Sequence, residues 1–306
     1  MVMQIQSLSV VVPNKECVNK CPFCVSRMVN SNTYPNLMDI NDTHYDINVR
    51  EYLKRLRYVA DSGCQTLMLT GTSEPQQNKQ FLATFALLHQ QIGSPFTNIE
   101  MQTTGVMLDG NPDYLRFLRN FVGVNTVALS VNALSDDMNR AILGMKFDLE
   151  IPRLCRQLEE YDFNIRICCN LTGQFDLDDN PWENIFAYLK EKCFADQVTF
   201  RKMYCNETPS EQGRWLSQNE FPKEREASLV RYLDGDPDPF EDDNLGQSRI
   251  GQTMYRATIY DCGGVSVIYD RDCMGKNPQC GVKKYLILRP NCHLYSQWDS
   301  PASIVF

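Results

Sequence analysis

Histidine and long apolar runs are scarce in this sequence, and an export signal is missing from it. The three histidines, His44, His89 and His293, fall in no motif, so acid–base catalysis by histidine is not supported. No apolar run approaches the roughly 18–20 residues that span a bilayer. Residues 1–12 lack both a basic n-region and a small-residue cleavage site. We therefore expect a cytoplasmic protein with no membrane partner.

A basic surface is also missing. The formal net charge of the 306 residues is −8 and the pI is about 5.0. Tight binding of duplex nucleic acid depends on basic side chains that neutralise phosphates, so a duplex partner is disfavoured. The composition excludes neither a nucleotide nor a peptide as substrate.

Cysteine, by contrast, is abundant, with 13 residues. An odd number cannot pair completely within one chain, and a chain without an export signal belongs in a reducing compartment. The thiols are therefore expected to be metal ligands, reactive groups or packed apolar side chains.

Short β-rich runs alternate with helical stretches over the first two thirds of the chain. Strands are predicted at 5–12, 65–70, 98–103, 125–131, 163–170 and 197–203, and helices at about 47–62, 77–92, 112–121, 148–161 and 182–193. This alternation predicts an α/β fold with an open parallel sheet, a partial (β/α)6 barrel, because parallel strands need a crossover element each time.

The alternation stops after about residue 205. Residues 1–205 are therefore predicted to form the partial barrel. Residues 206–306 are predicted to form a C-terminal, β-rich extension that covers the barrel opening and shapes a substrate pocket. Within it, Gly263–Gly264 indicates a turn, and 285–299 is predicted to be a β hairpin that turns at 289–292.

Three cysteines, Cys17, Cys21 and Cys24, follow the first predicted strand in a C-x3-C-x2-C spacing. Iron–sulfur clusters are held by thiolates, normally one per iron, so three ligands on a four-iron cluster leave one iron open for another ligand. Two alternatives remain at this point. The thiols are either unrelated, or they bind zinc with a distant fourth ligand, for which His44 and Cys64 are candidates.

The triplet, with Phe23 before its last cysteine, resembles the C-x3-C-x-aromatic-C signature of the radical S-adenosylmethionine (SAM) superfamily, in particular members that act on small molecules, nucleotides or peptides. The resemblance implies a [4Fe–4S] cluster on Cys17, Cys21 and Cys24 and SAM on the open iron. It also implies that Phe23 lies near the adenine. Such an enzyme is oxygen-sensitive and takes electrons from a donor such as flavodoxin or ferredoxin.

A second segment resembles the family's Gly-Gly-Glu-Pro motif, which binds the SAM amino group at the end of strand two. It comprises Gly71, Thr72, Ser73 and Glu74, followed by Pro75, and it lacks the second glycine. Taken alone, the same residues would be an ordinary strand-to-helix turn.

Further resemblances follow the next three strands. Thr103 lies where the family often has Thr-Asn-Gly, Ser130 matches a serine that contacts SAM, and Asn170 matches an asparagine that binds ribose. Arg140 and Lys146 are the two candidates for binding the SAM carboxylate. Arg140 is equally consistent with a solvated charge on a helix.

Four cysteines of the C-terminal third could supply a second cluster or a structural zinc. They are Cys262, Cys273, Cys280 and Cys292. Because their spacing contains no tight C-x2-C pair, packed thiols are the favoured interpretation.

The leading hypothesis is an enzyme that cleaves SAM reductively to a 5′-deoxyadenosyl radical, which abstracts hydrogen from a small-molecule, nucleotide or peptide substrate. The alternatives are a glycyl-radical activase that acts on a partner protein and a non-enzymatic, zinc-stabilised α/β binding module.

Overall fold

The computed structural model describes residues 4–14, 16–24, 48–71, 73–175, 180–204, 210–235, 247–275, 281–298 and 300–306. Its centre is one mostly parallel sheet of eleven strands in the order β11-β10-β1-β2-β3-β4-β5-β6-β9-β8-β7. The eight strands from β10 to β9 run parallel to one another, and β11, β8 and β7 pair antiparallel at the two ends. The predicted α/β class with an open parallel sheet is confirmed.

The first six strands form consecutive βα units. They are β1 (Gln4–Val11), β2 (Thr66–Thr70), β3 (Asn98–Thr103), β4 (Thr126–Val131), β5 (Asn164–Leu171) and β6 (Gln197–Lys202). Each lies within one residue of its predicted bounds. The local pattern of short β-rich runs therefore placed all six correctly.

Helices connect these strands. They are α1 (Val49–Asp61), α2 (Lys79–Gln91), α3 (Pro112–Arg116, extended by a π-helical turn Phe117–Val122), α4 (Asp136–Leu143), α5 (Ile151–Glu160) and α6 (Trp182–Ala187, extended by a π-helical turn Tyr188–Lys192). Side-chain caps begin several of them: the side-chain oxygens of Asn78, Asn111 and Ser135 accept hydrogen bonds from the backbone N–H three residues on. The sequence analysis missed α4, which has only eight residues.

The C-terminal third contributes α7 (Glu211–Gln218), α8 (Lys223–Asp234), β7 (Gln247–Gln252), β8 (Thr258–Cys262), β9 (Val265–Asp270), β10 (Val282–Leu288) and β11 (Leu294–Tyr295). The turn at 263–264 joins β8 to β9, and the predicted hairpin is formed by β10 and β11. The parallel pairing of β9 with β6 and of β10 with β1 was not predicted.

The two faces of the sheet differ in chemistry. In β1, Leu8 and Val10 are fully buried in the main hydrophobic core, whereas Ser7 and Ser9 line a cavity on the other face. In β4, Leu129 packs in the core and Ser130 lines the cavity. Small polar side chains leave the inside of the curved sheet open, where bulky branched residues would fill a closed barrel.

Side-chain contacts join the C-terminal strands across the cavity. The Lys284 Nζ of β10 binds both carboxylate oxygens of Asp270 of β9 at 2.8 Å. The Tyr285 hydroxyl of β10 donates to the Met274 carbonyl oxygen beyond β9. Strands at the two ends of the parallel row thus contact each other through side chains. None of the helices in the described ranges is both long enough and apolar enough to cross a bilayer.

Candidate active site

The cysteine loop, residues 12–14 and 16–24, follows β1 at the edge where the parallel strands end. The Val12 N–H donates to the Thr70 carbonyl oxygen of β2 at 2.7 Å, and the Lys20 N–H donates to the Leu143 carbonyl oxygen of α4 at 2.8 Å. The loop is therefore fixed at both ends by backbone hydrogen bonds to neighbouring units.

The thiols of Cys17, Cys21 and Cys24 are half-buried and line the cavity. Burial raises the pKa of Cys21, and the charges of Cys24, Glu74 and Cys17 raise it further. Burial also raises the pKa of Cys17, although the Asn19 N–H, which donates to its sulfur at 3.4 Å, opposes the rise. Three thiolates beside a buried carboxylate repel each other, and a positively charged metal centre would offset that repulsion.

The residues of this loop fit an iron–sulfur cluster. Three thiolates with no carboxylate or imidazole between them are the donor set of a cluster, in which each binds a different iron atom. The Asn19 Oδ1 beside them is buried without a hydrogen-bond partner among the described residues. In the described ranges, no group of three or more His, Cys, Asp or Glu side chains is arranged to hold a metal ion. The assignment of the three cysteines as cluster ligands stays a prediction.

Glu74 fastens the cysteine loop to β3. Its carboxylate is buried and accepts four hydrogen bonds: from Asn19 Nδ2 at 3.0 Å, Thr103 Oγ1 at 2.6 Å, the Thr104 N–H at 3.0 Å and Thr104 Oγ1 at 2.7 Å. Burial raises the pKa of the Glu74 carboxyl, and these hydrogen bonds oppose the rise. The carboxylate, which the sequence analysis placed in the SAM site, is thus fully engaged within the protein.

The segment after β2 also supports the cysteine loop. The Gln77 side chain accepts from the Val18 N–H at 3.0 Å and donates to the Glu16 carbonyl oxygen at 2.9 Å, so it spans Cys17. The Asn78 Nδ2 donates to the Pro13 carbonyl oxygen at 2.7 Å. The two motif segments that the sequence separates by about 50 residues therefore form one hydrogen-bonded unit.

Gly71 and Ser73 belong to the same unit. A Cβ atom on Gly71 would lie 3.0 Å from the Val12 carbonyl oxygen, so the close approach of the β1 backbone requires glycine here. Asn14 Nδ2 donates to the Ser73 Oγ at 2.8 Å. Thr72, a third predicted SAM contact, lies outside the described residues.

Phe23 is anchored by residues of the two flanking elements. It is buried against Leu143 of α4 and Leu216 of α7, and its ring centroid lies 5.8 Å from that of Trp215. It also lines the cavity, so the predicted contact with adenine is compatible with its position and stays a prediction.

Thr103, Ser130 and Asn170 line the same cavity from β3, β4 and β5. The Thr103 hydroxyl is already used, because it donates to Glu74 and accepts from the Gly105 N–H at 2.7 Å. The buried Asn170 Nδ2 donates to Asn132 Oδ1 at 2.9 Å. The structure thus brings these predicted residues together along one edge of the sheet.

Arg140 and Lys146 do not belong to this group. In the described ranges, neither lines the cavity. The Arg140 guanidinium instead pairs with Asp137 and with Asp148, and it donates to the Leu149 carbonyl oxygen at 2.9 Å. Lys146 is exposed. Neither side chain lines the cavity, so the structure gives no support to the expected role in binding the SAM carboxylate, which stays a prediction. The ion pairs of Arg140 match the alternative, a charge on the surface of a helix.

Cys64 and His44 were the two candidates for a fourth zinc ligand, and the structure describes only the first of them. Cys64 precedes β2, and its thiol donates to the Thr66 carbonyl oxygen at 3.4 Å. It therefore lies at the amino edge of the parallel sheet, a strand length from the cysteine loop. His44 lies outside the described residues.

The C-terminal cysteines are spread over the sheet. Cys262 ends β8 at the amino edge, Cys273 follows β9 at the opposite edge, and Cys292 lies in the turn between β10 and β11. These three therefore lie at separate places along the sheet, and the interpretation as packed thiols stays a prediction. Cys280 lies outside the described residues. None of the eleven cysteines in the described ranges forms a disulfide.

The cavity has a volume of about 810 Å³ and extends from the cysteine loop to residues of the C-terminal third. Sequence analysis missed Asn19 and Gln77, whose roles depend on contacts with residues 55 to 61 positions away. No role was predicted for Arg201 of β6, although this residue lines the cavity. An arginine inside an apolar strand was the signal for it.

The Radical SAM superfamily model matches residues 11–189, more than half of the chain. The chain belongs to the radical SAM superfamily. Membership makes it an enzyme of that class and implies a [4Fe–4S] cluster and SAM. The non-enzymatic zinc module is thereby overturned.

Solved radical SAM structures resemble this protein at low sequence identity. A methylornithine synthase (PylB) shares 15% identity at a TM-score of 0.45, covering 75% of this chain and 62% of that one. Coproporphyrinogen III oxidase (HemN) from Escherichia coli shares 14% identity at a TM-score of 0.48, covering 87% of this chain and 63% of that one. A radical SAM methyltransferase from Sphaerobacter thermophilus shares 18% identity at a TM-score of 0.44, covering 70% of this chain and 62% of that one.

This radical SAM protein thus spans less than two thirds of the length of these three structures. No curated protein matches its sequence.

Proposed function

We propose that this radical SAM enzyme holds its cluster on Cys17, Cys21 and Cys24 and abstracts hydrogen from a substrate bound in the cavity beneath the cysteine loop. The observation that carries the proposal is that the three thiols line the same cavity as the ends of β2 to β5. When bound and reduced, the cluster supplies the electron that cleaves SAM to methionine and a 5′-deoxyadenosyl radical.

The protein's own residues hold and orient this site. Glu74, Asn19 and Gln77 fix the loop so that its thiols face the cavity. Phe23, Ser130 and Asn170 are proposed SAM contacts on the walls. The physical contribution of the chain is to position the cofactors and to exclude water from the reacting groups.

The boundary near residue 205 and the pocket-forming role of residues 206–306 belong to the same proposal. Tyr255, Asp270 and Lys284 are among the C-terminal residues that line the cavity. A cavity with walls from the same chain favours a small-molecule, nucleotide or peptide substrate held within this protein over an activase that acts on a partner. Electrons would come from a donor such as flavodoxin or ferredoxin.

Anaerobic reconstitution with iron and sulfide, followed by reduction in the presence of SAM, tests the proposal. Chromatography should detect 5′-deoxyadenosine with the wild type and none with Cys24→Ala. Cys64→Ser is the matched control, because it removes one thiol at the opposite edge of the sheet and should retain cleavage. Unchanged SAM in a wild-type sample with full iron and sulfide content would refute the proposed activity.

A further inference from the structure

Arg201 is a positively charged side chain on the cavity wall that the proposed SAM site does not use. It lies near the end of β6, where the strand register pairs it with Asn170 of β5 and Asp270 of β9. Its polar contact in the structure is a weak one, from Nη2 to the Cys168 sulfur at 4.0 Å. Four strands lie between β1, which leads into the cysteine loop, and β6, from which Arg201 lines the cavity.

The carboxylates closest to Arg201 are already paired with other bases. Asp270 is held through both oxygens by Lys284 at 2.8 Å. The buried Glu100 pairs with Arg166. Among the described residues, no carboxylate oxygen lies within the 4.0 Å of an ion pair with the Arg201 guanidinium.

The charge of the cavity wall differs in sign from that of the chain. Six of the described lining residues are basic: Arg166, Arg201, Arg249, Arg256, Arg271 and Lys284. Four are acidic: Glu74, Asp234, Asp270 and Asp272. The whole chain carries a formal charge of −8. Three of the basic residues pair with acids: Arg166 with Glu100, Arg249 with Asp234 and Lys284 with Asp270. Arg256 and Arg271 are exposed, whereas Arg201 is half-buried in the wall, where a bound anion would pair with it.

Arg201 is half-buried, and a guanidinium that is partly removed from water without an ion-pair partner is stabilised by a bound anion. Burial by itself lowers the pKa of Arg201, but the charges of Cys168, Cys273, Asp270 and Glu100 outweigh it, so the pKa is raised and the side chain stays cationic. The planar fork of arginine matches the paired oxygens of a carboxylate or phosphate.

We propose that the substrate of this enzyme carries a carboxylate or phosphate group and that the Arg201 guanidinium binds that group. That the bound anion belongs to a substrate rests on the proposed function. The anion site itself depends only on the cavity and its charges. In this arrangement Arg201 anchors the substrate on one wall, and the rest of the molecule extends toward the cysteine loop.

Calorimetric titration of the reconstituted enzyme tests this assignment, with inorganic phosphate and acetate as probes and SAM titrated separately. The variants are Arg201→Gln, the charge-conserving Arg201→Lys, and the control Arg271→Gln. Arg271 also lines the cavity, but it is exposed and its guanidinium lies over the Tyr269 ring at 4.9 Å. Circular dichroism checks that each variant is folded.

We expect Arg201→Gln to weaken binding of the tighter probe at least tenfold, Arg201→Lys to weaken it less, and Arg271→Gln to change it less than twofold. SAM affinity should change less than twofold in all three. Arg201→Gln could instead weaken the binding of SAM and of the probe together, with SAM displacing the probe from the wild type. That result would assign the anion site to SAM itself and overturn the proposal. It would also be overturned if neither anion binds the wild type, or if both bind the wild type and Arg201→Gln equally.

The same wild-type sample is assayed for 5′-deoxyadenosine. If Arg201-dependent anion binding persists in a sample that leaves SAM intact, the proposed function fails and the anion site remains. If SAM is cleaved and Arg201 has no effect on either probe, only the anion proposal fails.

Discussion

Replacing Glu74 by alanine tests whether one buried carboxylate fastens the cysteine loop to the sheet. The substitution removes the acceptor of four hydrogen bonds. The two threonine hydroxyls can turn toward other acceptors, and Asn19 Nδ2 still donates to Thr104 Oγ1 at 2.9 Å. The Thr104 N–H, however, is left buried without an acceptor.

An orphaned buried donor costs about 1–3 kcal/mol, and each hydrogen bond to a charged group contributes about 1.5–3 kcal/mol. The cost of burying the carboxylate, seen in its raised pKa, offsets part of this sum. We therefore expect Glu74→Ala to lower the free energy of unfolding by about 3 kcal/mol, which for a chain of 306 residues corresponds to a melting temperature roughly 4–6 °C lower.

The assay is thermal unfolding of the apo-protein under anaerobic conditions, followed by circular dichroism. Glu74→Gln keeps the shape and one oxygen acceptor, so it should cost only about 1 kcal/mol. Glu159→Ala, at an exposed position of α5, is the surface control. The error of such a scan is on the order of 1–2 °C. If the melting temperatures of Glu74→Ala and Glu159→Ala agree within that error, the reasoning is refuted.

Two further predictions concern neighbouring parts of the structure. Gln77→Ala removes the side chain that hydrogen-bonds on both sides of Cys17. In the apo-protein we therefore expect faster alkylation of the Cys17 thiol, measured by peptide mass spectrometry, and lower iron uptake. Gln80→Ala, at an exposed position of α2, is the control, and equal alkylation rates in the two variants would contradict this role. His89 accepts a hydrogen bond from the Phe96 N–H at 3.2 Å, and burial lowers the pKa of His89. The stability that neutral His89 contributes is therefore present above the pKa of the unfolded state, about 6.5. It is lost as the pH falls below that value, because the unfolded chain then binds a proton that the folded protein does not. His89→Gln keeps an acceptor that does not titrate, and the drop in melting temperature from pH 7 to about pH 5.5 should become smaller than in the wild type; an unchanged drop would exclude His89 as its source.

The elements that sequence analysis predicted best are those whose signal is local. The six strands β1 to β6 are short apolar runs bounded by turns, and the pattern of each is contained in its own residues. The missed helices α4, α7 and α8 are short or polar, so their apolar stripes are weak. The pairing of β9 and β10 with the parallel row is a long-range event that no local pattern indicates.

The site shows the same division between local and long-range signals. The cysteine spacing and Phe23 are contiguous, so the resemblance to the radical SAM superfamily could be read from a dozen residues. For Arg140 the sequence left two roles open, because position in the chain alone does not tell whether a helical arginine faces a cavity or pairs with nearby acids such as Asp137 and Asp148.

By itself, the sequence determined the order and approximate bounds of β1 to β6, the cysteine triplet and the resemblance to the superfamily, because each depends on residues that are close together in the chain. Tertiary structure alone decided that Glu74 and Gln77 support the cysteine loop and that Arg201 is a cation on the cavity wall without a carboxylate partner among the described residues. The physical reason is that hydrogen bonding, burial and charge pairing depend on distances between side chains, and those distances are set only when the strands pack side by side.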